Sequence, residues 1–436
     1  MKKLLFTSLF INLSFGFIQC NMDVVGHINL PEIYNTRASD ITGFYQDERE
    51  FAVVGLKESI AAVIIDITDP SNPFEVGQID GSPSWPSGWR DIKYWNRHIY
   101  VSSDATTFPN TDGIIIVSVD NPDNPIQVNA ITDFSRNHNI HIDSDGYLYA
   151  VGTYEEEHDI WIYELTDHPS NPLLVGTWDG EYIHDLEVHN NKLYGAAIYS
   201  GNFYIIDVTY KYFPQTLVQF YTGGGGPSTH DCAVTYDENY LITADEVGGG
   251  HIKIWDISNY NNINLVSEYM PSNYGSSHNV YIRPETNLVI ISYFALGTRI
   301  LDISIPENPI EVGFYDTSGD NNGTFDGNWG TYAYLPSGYI ISSDRDNGLY
   351  ILDSPLTNAS LEWNECIDDP LCNTNLGDVN GDGLINILDV VQVANYVLGI
   401  STPSYECATD FNQDEQVNIL DLVLITNYIL TPNSTS

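Results

Sequence analysis

The stretch that decides the fold is AVIIDITDPSNP at residues 62–73, which continues as FEVG at residues 74–77. An apolar run ends on Asp66, a proline-rich turn follows, and a second strand-like run begins. Proline fixes φ and cannot donate to a β-ladder, so it belongs at the corner between two strands. Similar stretches occur at residues 115–125, 160–172 and 299–313.

Seven copies of this unit follow one another along the chain, some without most of the turn. Each copy aligns on one residue at the end of its strand-like run, and these residues are Asp66, Ser118, Glu164, Asp207, Asp256, Asp302 and Asp353. The spacings are 52, 46, 43, 49, 46 and 51 residues, and four short strands with their turns need about 40–50. No convincing helical period occurs before residue 386. We therefore predict an all-β, seven-bladed β-propeller over residues 21–356.

The N-terminal part of this region predicts how the ring closes. Residues 23–28 read DVVGHI, which is the outer strand of the unit without the strands that normally precede it. The seventh unit lacks that strand after Asp353. We expect the N-terminal strand to complete the last blade, which removes exposed sheet edges.

These motifs resemble the LVIVD-repeat, choice-of-anchor B family of bacterial exported proteins, over roughly residues 22–356. The resemblance implies a propeller followed by one of several surface-anchoring modules. It implies no settled biochemical role.

The C-terminal region contains two calcium-type loops, 32 residues apart. Calcium takes six to eight oxygen ligands, and a twelve-residue loop supplies them at positions 1, 3, 5, 7, 9 and 12. Those positions are Asp378, Asn380, Asp382, Leu384 (through its carbonyl), Asn386 and Asp389, and then Asp410, Asn412, Asp414, Gln416 (through its carbonyl), Asn418 and Asp421. An apolar helical stripe follows each loop, over residues 386–398 and 418–430. We predict a small all-α module that binds two calcium ions.

The pair of loops resembles a type I dockerin over residues 377–431. The second loop has Glu415 where the first has Gly383, which should strain its turn and weaken that site. The resemblance implies that positions 10 and 11 help to select a cohesin-like partner, in two equivalent orientations. Two interpretations stay open for the apolar residues found there: contact with such a partner, or packing against the propeller. They are Ile387, Leu388, Ile419 and Leu420.

The two ends of the chain predict export. Lys2 and Lys3 precede an apolar run over residues 4–17, too short for a membrane span, so residues 1–20 read as a signal peptide. A linker over 357–376 and a tail over 432–436 flank the C-terminal module. We expect a secreted or cell-surface protein without a membrane span.

The five cysteines fit an exported protein. Cys20 is expected to leave with the signal peptide or to mark its end. We expect ordinary cleavage of this peptide rather than lipidation of Cys20. Cys232 lies in an apolar run and should be a buried thiol. A disulfide is expected as Cys366–Cys372 or Cys372–Cys407, and the sequence does not choose between them.

The charge of the chain excludes one class of partner. Asp and Glu number 59 against 15 Lys and Arg, for a formal net charge of −44. Such a chain repels nucleic acid and anionic membrane surfaces and attracts cations.

Most units begin with a pair of polar residues at the start of the first strand, and first strands line the central channel of a propeller. Imidazoles converging there could hold a transition metal or act as acid–base groups. The alternative is hydrogen bonding to the neighbouring blade, and successive strand residues point to opposite faces, so His and Asp of one pair should not aim at one ligand. The candidate residues at this mouth are Arg90, Asp91, His138, His184, Asp185, His230, Asp231 and His278.

Two functions follow from this organisation. In the first, the propeller binds a ligand or partner, and the tail attaches it to a cell-surface component or assembly. In the second, the protein is a hydrolase or lyase that acts on extracellular polysaccharide, with a glycan at the histidine-rich mouth. No catalytic motif is present in the sequence. Convergence of three of the four histidines on one point would favour the enzyme.

Overall fold

The computed structural model describes most of the chain after residue 18. The described residues are 19–57, 59–82, 87–105, 112–153, 158–223, 228–271, 275–284, 286–319, 323–354, 366, 377–380, 384–401, 403, 406–409, 411 and 417–430. They fall into two compact units, one over residues 19–366 and one from residue 367 onward. The expected signal peptide lies outside the described residues except at Gln19 and Cys20.

The larger unit is built of antiparallel strands in seven sheets, with one short helix near its start. The elements before the first complete blade are β1 (Gln19–Cys20), β2 (Asp23–Ile28) and α1 (Leu30–Tyr34). The first three blades are β3 (Ala38–Gln46), β4 (Arg49–Leu56), β5 (Ile60–Asp66) and β6 (Phe74–Asp80); β7 (Ile92–Trp95), β8 (His98–Val101), β9 (Ile114–Ser118) and β10 (Ile126–Ile131); and β11 (Asn139–Ile142), β12 (Tyr147–Val151), β13 (Ile160–Glu164) and β14 (Leu173–Trp178).

The next three blades repeat this arrangement, and the seventh supplies three further strands. They are β15 (Asp185–His189), β16 (Lys192–Ala197), β17 (Asn202–Asp207) and β18 (Gln215–Tyr221); β19 (Thr229–Val234), β20 (Tyr240–Asp245), β21 (Ile252–Asp256) and β22 (Asn264–Tyr269); β23 (Val280–Ile282), β24 (Leu288–Ser292), β25 (Thr298–Asp302) and β26 (Ile310–Tyr315); and β27 (Asn328–Tyr332), β28 (Ile340–Asp344) and β29 (Gly348–Asp353).

The seven-bladed propeller is confirmed, and each residue used to align the repeat ends the third strand of its blade. The repeated Asp has a local role there. Asp66 Oδ1 accepts a hydrogen bond from Thr68 N at 2.8 Å, and Asp207 Oδ1 accepts one from Thr209 N at 2.8 Å. This side-chain turn bends the chain toward the outer strand. The proline-rich turn then closes through bonds such as Asn72 N to Asp69 O, 3.0 Å.

The N-terminal strand closes the ring as expected. Strand β2 pairs with β29 in a register that sets Asp23 opposite Asp353, so the seventh blade has its outer strand from the other end of the propeller sequence. The apolar core lies between neighbouring blades: Leu349 and Ile351 of the seventh blade pack with Val54 and Ile65 of the first.

The cysteine pairing differs from the sequence expectation. Cys20 and Cys366 form a disulfide with a Cα–Cα distance of 6.1 Å, so the expected Cys366–Cys372 pairing is wrong. Strand β1 pairs with β26 and places Cys20 opposite Phe314, while Cys366 N donates to Glu311 O at 2.7 Å. The outer edge of the sixth blade thus brings together two residues 346 positions apart in sequence.

This disulfide also revises the interpretation of the N-terminus. The structure places Cys20 in the folded propeller, bonded to Cys366, whereas the sequence expectation has it leave with the signal peptide or mark its end. The expected buried thiol is confirmed, since Cys232 is buried and free. Cys372 and the side chain of Cys407 lie outside the described residues.

Several first strands begin with an irregular register rather than a regular ladder. The pairing shifts between Ala38 and Ile41 in β3, between Thr229 and Asp231 in β19, and between Asn328 and Gly330 in β27. A bulge re-aims the side chains beside it. These shifts lie at one end of the channel, where the polar pairs stand.

The C-terminal unit contains α2 (Ile387–Val397), a 3₁₀ turn (Glu406–Thr409) and α3 (Ile419–Leu430). The two helices pack around a small core centred on Val379, Val393, Ala408 and Ile425. Gly377 N donates to Ala408 O at 2.9 Å, which ties the start of the first loop to the segment before the second.

The calcium module and the channel of the propeller

The first helix of the C-terminal unit begins with a reciprocal cap. Asn386 Oδ1 accepts from Leu388 N at 2.9 Å, and Asp389 Oδ2 accepts from Asn386 N at 2.8 Å. Asp389 Oδ1 also faces Asn380 N, at 3.3 Å. The carboxylate at position 12 therefore spans the loop and the first turn of α2, where the helix dipole favours negative charge.

The second helix begins in the same way. Asn418 Oδ1 accepts from Leu420 N at 2.8 Å, and Asp421 Oδ2 accepts from Asn418 N at 2.8 Å. Equal geometry at both helix starts supports the duplicated-loop interpretation. Asp382, Asp410, Asn412, Asp414 and Gln416, which the sequence assigns as further ligands, lie outside the described residues.

The described acidic residues of these loops fit a cation. Asp378, Asp389 and Asp421 are fully buried, and residues 377–430 contain eight acidic residues and no Lys, Arg or His. Burying carboxylates away from water is costly unless a positive charge compensates them. No such charge is available from this segment, so a bound cation with oxygen ligands is the fitting compensation, and calcium is the cation that this loop spacing suits.

Two apolar pairs stand beside the two caps. Ile387 and Leu388 are 63% and 57% exposed, and Ile419 and Leu420 are 62% and 55% exposed. Large exposed apolar side chains therefore stand at equivalent positions of the two helices.

In the propeller, six aromatic rings stand side by side across the start of consecutive first strands. The ring centroids are 4.1 Å apart for His138–His184, 4.5 Å for His184–His230 and 4.3 Å for His230–His278. Trp329 and Trp89 extend the row at 4.4 and 4.7 Å. The predicted convergence of the histidines at one end of the channel is therefore present in the structure.

The histidines and their neighbouring acids do meet, against the expectation from strand alternation. His184 Nδ1 lies 2.8 Å from Asp185 Oδ1, and both belong to a cluster with His138 and His230 whose ligand-type atoms lie within 4.8 Å of one another. The alternation argument was wrong here because His184 precedes β15, which begins at Asp185, and because the register shift in β19 falls at His230.

Other members of the predicted mouth bond to neighbouring blades instead. Asp91 Oδ2 accepts from Ile140 N at 2.7 Å, and Asp231 Oδ2 accepts from Val280 N at 2.9 Å. His278 Nδ1 lies 2.6 Å from Trp329 O. Arg90 borders a narrow space beside His138, His230 and His278. Its guanidinium nevertheless binds Asp112 Oδ2 at 3.0 Å.

A larger cavity of about 410 Å³ lies farther along the channel than the narrow space beside the histidines. Asn139, Asp185 and Asn279 line both this cavity and the narrow space beside the histidines, so the two follow one another along the channel. The wall of the larger cavity combines aromatic, acidic and basic side chains, including Tyr281, Tyr332, Tyr334, Glu187 and Lys93.

Comparison with known families gives matches in both parts of the chain. The LVIVD repeat model matches residues 61–81 and 293–317, and the dockerin type I domain model matches residues 376–430. The chain has LVIVD repeats in its seven-bladed propeller and a C-terminal dockerin type I domain. A crystal structure of a protein from Lactobacillus plantarum has a similar fold, with a TM-score of 0.56 and 11% identity, covering 76% of this chain and 95% of that one. Among curated proteins, none matches the sequence.

In the LVIVD propeller, sequence reasoning missed the residues that follow the second strands. Asp104 comes after β8, Glu246 after β20, and Arg345 after β28. An antiparallel pair sets the end of its second strand beside the start of its first, so these residues reach the histidine row. Arg345 lies over the rings of Trp89 and Trp329, at 5.2 and 5.1 Å. Strand order along each repeat is the signal that could have found them.

Burial shifts the titration of the channel groups. It lowers the pKa of His184 and of His230 well below the usual range, so both rings are neutral. Burial also raises the pKa of Asp185, which Asp91 raises further, to about 7 despite the opposing charge of His138. The pKa of Asp231 is raised in the same way.

None of the helices among the described residues has the length and apolar character needed to cross a membrane.

Proposed function

We propose that the protein is exported and that its dockerin domain, with two calcium ions bound, attaches the propeller to a cohesin-like protein or another cell-surface component. The observation that carries this proposal is the equivalence of the two helix starts. Each has the same Asn–Asp cap, and each displays an exposed apolar pair directly beside it. A duplicated apolar surface held by two metal loops suits a docking role better than a structural tail.

The duplication predicts how docking responds to substitution. Leu388→Asp or Leu420→Asp alone should leave binding almost unchanged, because the other half of the module still presents a complete surface. The double variant should lose about 2 kcal/mol or more, as for a contact at the centre of an interface. That corresponds to about a 30-fold loss of affinity. Calorimetric titration against a panel of purified cohesin modules measures it.

A matched control for this experiment is Leu398→Asp, since Leu398 is also an exposed leucine of the module but lies at the far end of α2. It should bind as the wild type does. Binding by the double variant with unchanged affinity would refute the assigned surface, as would failure of every cohesin module to bind the wild type.

A second candidate function rests on the channel. We propose that the 410 Å³ cavity takes the end of a neutral glycan and that the protein is a hydrolase or lyase of extracellular polysaccharide. Aromatic side chains such as Tyr332 and Tyr334 offer flat apolar faces. The cavity has Lys93 as its single Lys or Arg among the described lining residues, and this ammonium is already paired with Asp91, so the wall offers no free cation to an acidic sugar.

Full-length protein should therefore bind neutral oligosaccharides and not polyuronates. Tyr334→Ala removes a partly exposed ring at the cavity and should weaken binding about tenfold, the effect of an aromatic contact of about 1.4 kcal/mol. Tyr212→Ala, an exposed tyrosine elsewhere, is the control. Product release from a bound oligosaccharide would establish an enzyme, and binding without product a binding protein. Absence of binding to any neutral oligosaccharide would end this candidate.

A further inference from the structure

We propose that His138, His184, Asp185 and His230 form a site for one divalent first-row transition-metal ion in the propeller channel. Such a site goes beyond the docking function, because it lies in the propeller and uses nitrogen ligands rather than the oxygen ligands of the calcium loops. The ligand-type atoms of these four residues lie within 4.8 Å of one another.

The distances within the cluster suit a common ion. Asp185 lies at its centre: Oδ1 is 2.8 Å from His184 Nδ1 and 4.0 Å from His138 Nε2, and Oδ2 is 3.7 Å from His230 Nδ1. Ligand atoms at about 2.0–2.2 Å from one tetrahedral zinc-like ion lie about 3.3–3.6 Å apart. Side-chain shifts of up to about 1 Å therefore bring all four residues into the coordination sphere.

The cluster also contains buried polar atoms without a hydrogen bond. They are His184 Nδ1, His230 Nδ1 and Asp185 Oδ1, and their residues are more than nine-tenths buried. Although His184 Nδ1 is close to Asp185 Oδ1, the two are not oriented for a hydrogen bond. Leaving such atoms unsatisfied costs about 1–3 kcal/mol each. An ion placed among them would satisfy all three at once.

One acid outside the cluster orients a histidine that would bind, and a second acid lies near another. Asp104 Oδ2 lies 2.9 Å from His138 Nδ1, which turns the Nε2 of that ring toward Asp185. Glu246 Oε2 lies 3.8 Å from His230 Nε2, on the opposite side of that ring from Asp185. Metal-binding histidines generally have such a carboxylate partner on their second nitrogen.

The surroundings of the cluster are acidic as well. Asp40, Asp91, Asp185 and Asp231 stand at the first strands of the first, second, fourth and fifth blades, and Lys93 pairs with Asp91.

The types of ligand indicate which metals this site would bind, and the existing hydrogen bonds indicate which histidines are left to bind them. Three imidazoles and one carboxylate suit zinc, iron or cobalt rather than calcium or magnesium. His278 belongs to a neighbouring group with His230 and Glu246, but its Nδ1 is already bonded to Trp329 O at 2.6 Å. We therefore place His278 outside the coordination sphere.

Cobalt(II) is the probe for this site, because its visible absorption reports nitrogen coordination. Full-length protein is stripped of metal, saturated with calcium to fill the dockerin loops, and titrated with Co²⁺. We expect one Co²⁺ per chain with intense visible bands, displaced by one equivalent of Zn²⁺. His184→Phe keeps a ring in the row but removes a ligand, and Asp185→Asn removes a charge. Each should weaken Co²⁺ binding more than tenfold.

His278→Phe is the matched control: it is another buried ring of the same row and should keep the full spectrum. Wild-type protein without Co²⁺ bands would overturn the proposal, and so would His184→Phe with unchanged affinity. Loss of the bands in His278→Phe with retention in His184→Phe would assign the ion to the other group. If His184→Phe does not fold, the wild-type spectrum and Asp185→Asn decide. Cohesin binding of the same samples reports separately on the proposed docking function.

Discussion

Serine at both positions of the Cys20–Cys366 disulfide should lower the free energy of unfolding of the propeller by about 2–5 kcal/mol. The bond links residues 346 positions apart, so it restricts the unfolded chain strongly. In the folded state it fastens β1 to the sixth blade, directly before the strand that closes the ring. Urea unfolding followed by tryptophan fluorescence measures the change.

Reductant supplies the control for this prediction. It should destabilise the wild type by a similar amount and leave the Cys20→Ser/Cys366→Ser variant unchanged. A wild type insensitive to reductant would contradict the assignment, as would a secreted protein whose N-terminus lies beyond Cys20. The proposed export is therefore expected to remove the chain only up to a point before this residue.

The repeat and its closure could be predicted from sequence because both are local patterns. Each repeat is marked by a few residues, the strand that ends on Asp66 or on one of its six counterparts. The closing strand is marked in the same way, by residues 23–28. The two loop–helix units of the dockerin domain were equally readable, since their predicted oxygen ligands follow one another within twelve positions. Asp389 and Asp421 accordingly cap their helices in the same way.

The disulfide and the channel cluster could not be predicted in this way. Cys366 meets Cys20 through the geometry of a closed ring, which sequence spacing does not reveal. His184 and Asp185 face a common point because one precedes its strand, whereas a period of two assumes a regular strand throughout. Asp104 and Glu246 reach the histidines from the ends of second strands, a relation that only the assembled blades establish.

Removal of calcium should unfold the dockerin domain and leave the propeller folded. Asp378, Asp389 and Asp421 are buried in a segment without basic residues. Without the cation, the repulsion between these carboxylates and their lost solvation would outweigh the stabilisation from the small core around Val393 and Ile425. Folding of such a module is coupled to metal binding. Far-ultraviolet circular dichroism should show loss of helix, and binding to cohesin modules should cease.

Substitution at the first loop gives the matched test. Asp389→Ala removes both a position-12 ligand and a helix cap, so it should lower calcium affinity by more than about tenfold and cost the helix about 1 kcal/mol. Asp353→Ala, at the end of a propeller strand, should change neither. Full calcium affinity in Asp389→Ala would contradict the assigned ligand set.

Differential scanning calorimetry of the full-length protein with and without a calcium chelator distinguishes a calcium-dependent dockerin domain from a tail that is part of the propeller. We expect two transitions in calcium, of which the chelator abolishes the one that belongs to the dockerin domain and leaves the propeller transition at its temperature. A single transition that the chelator does not move would contradict a separately folded, calcium-dependent docking domain on an LVIVD propeller.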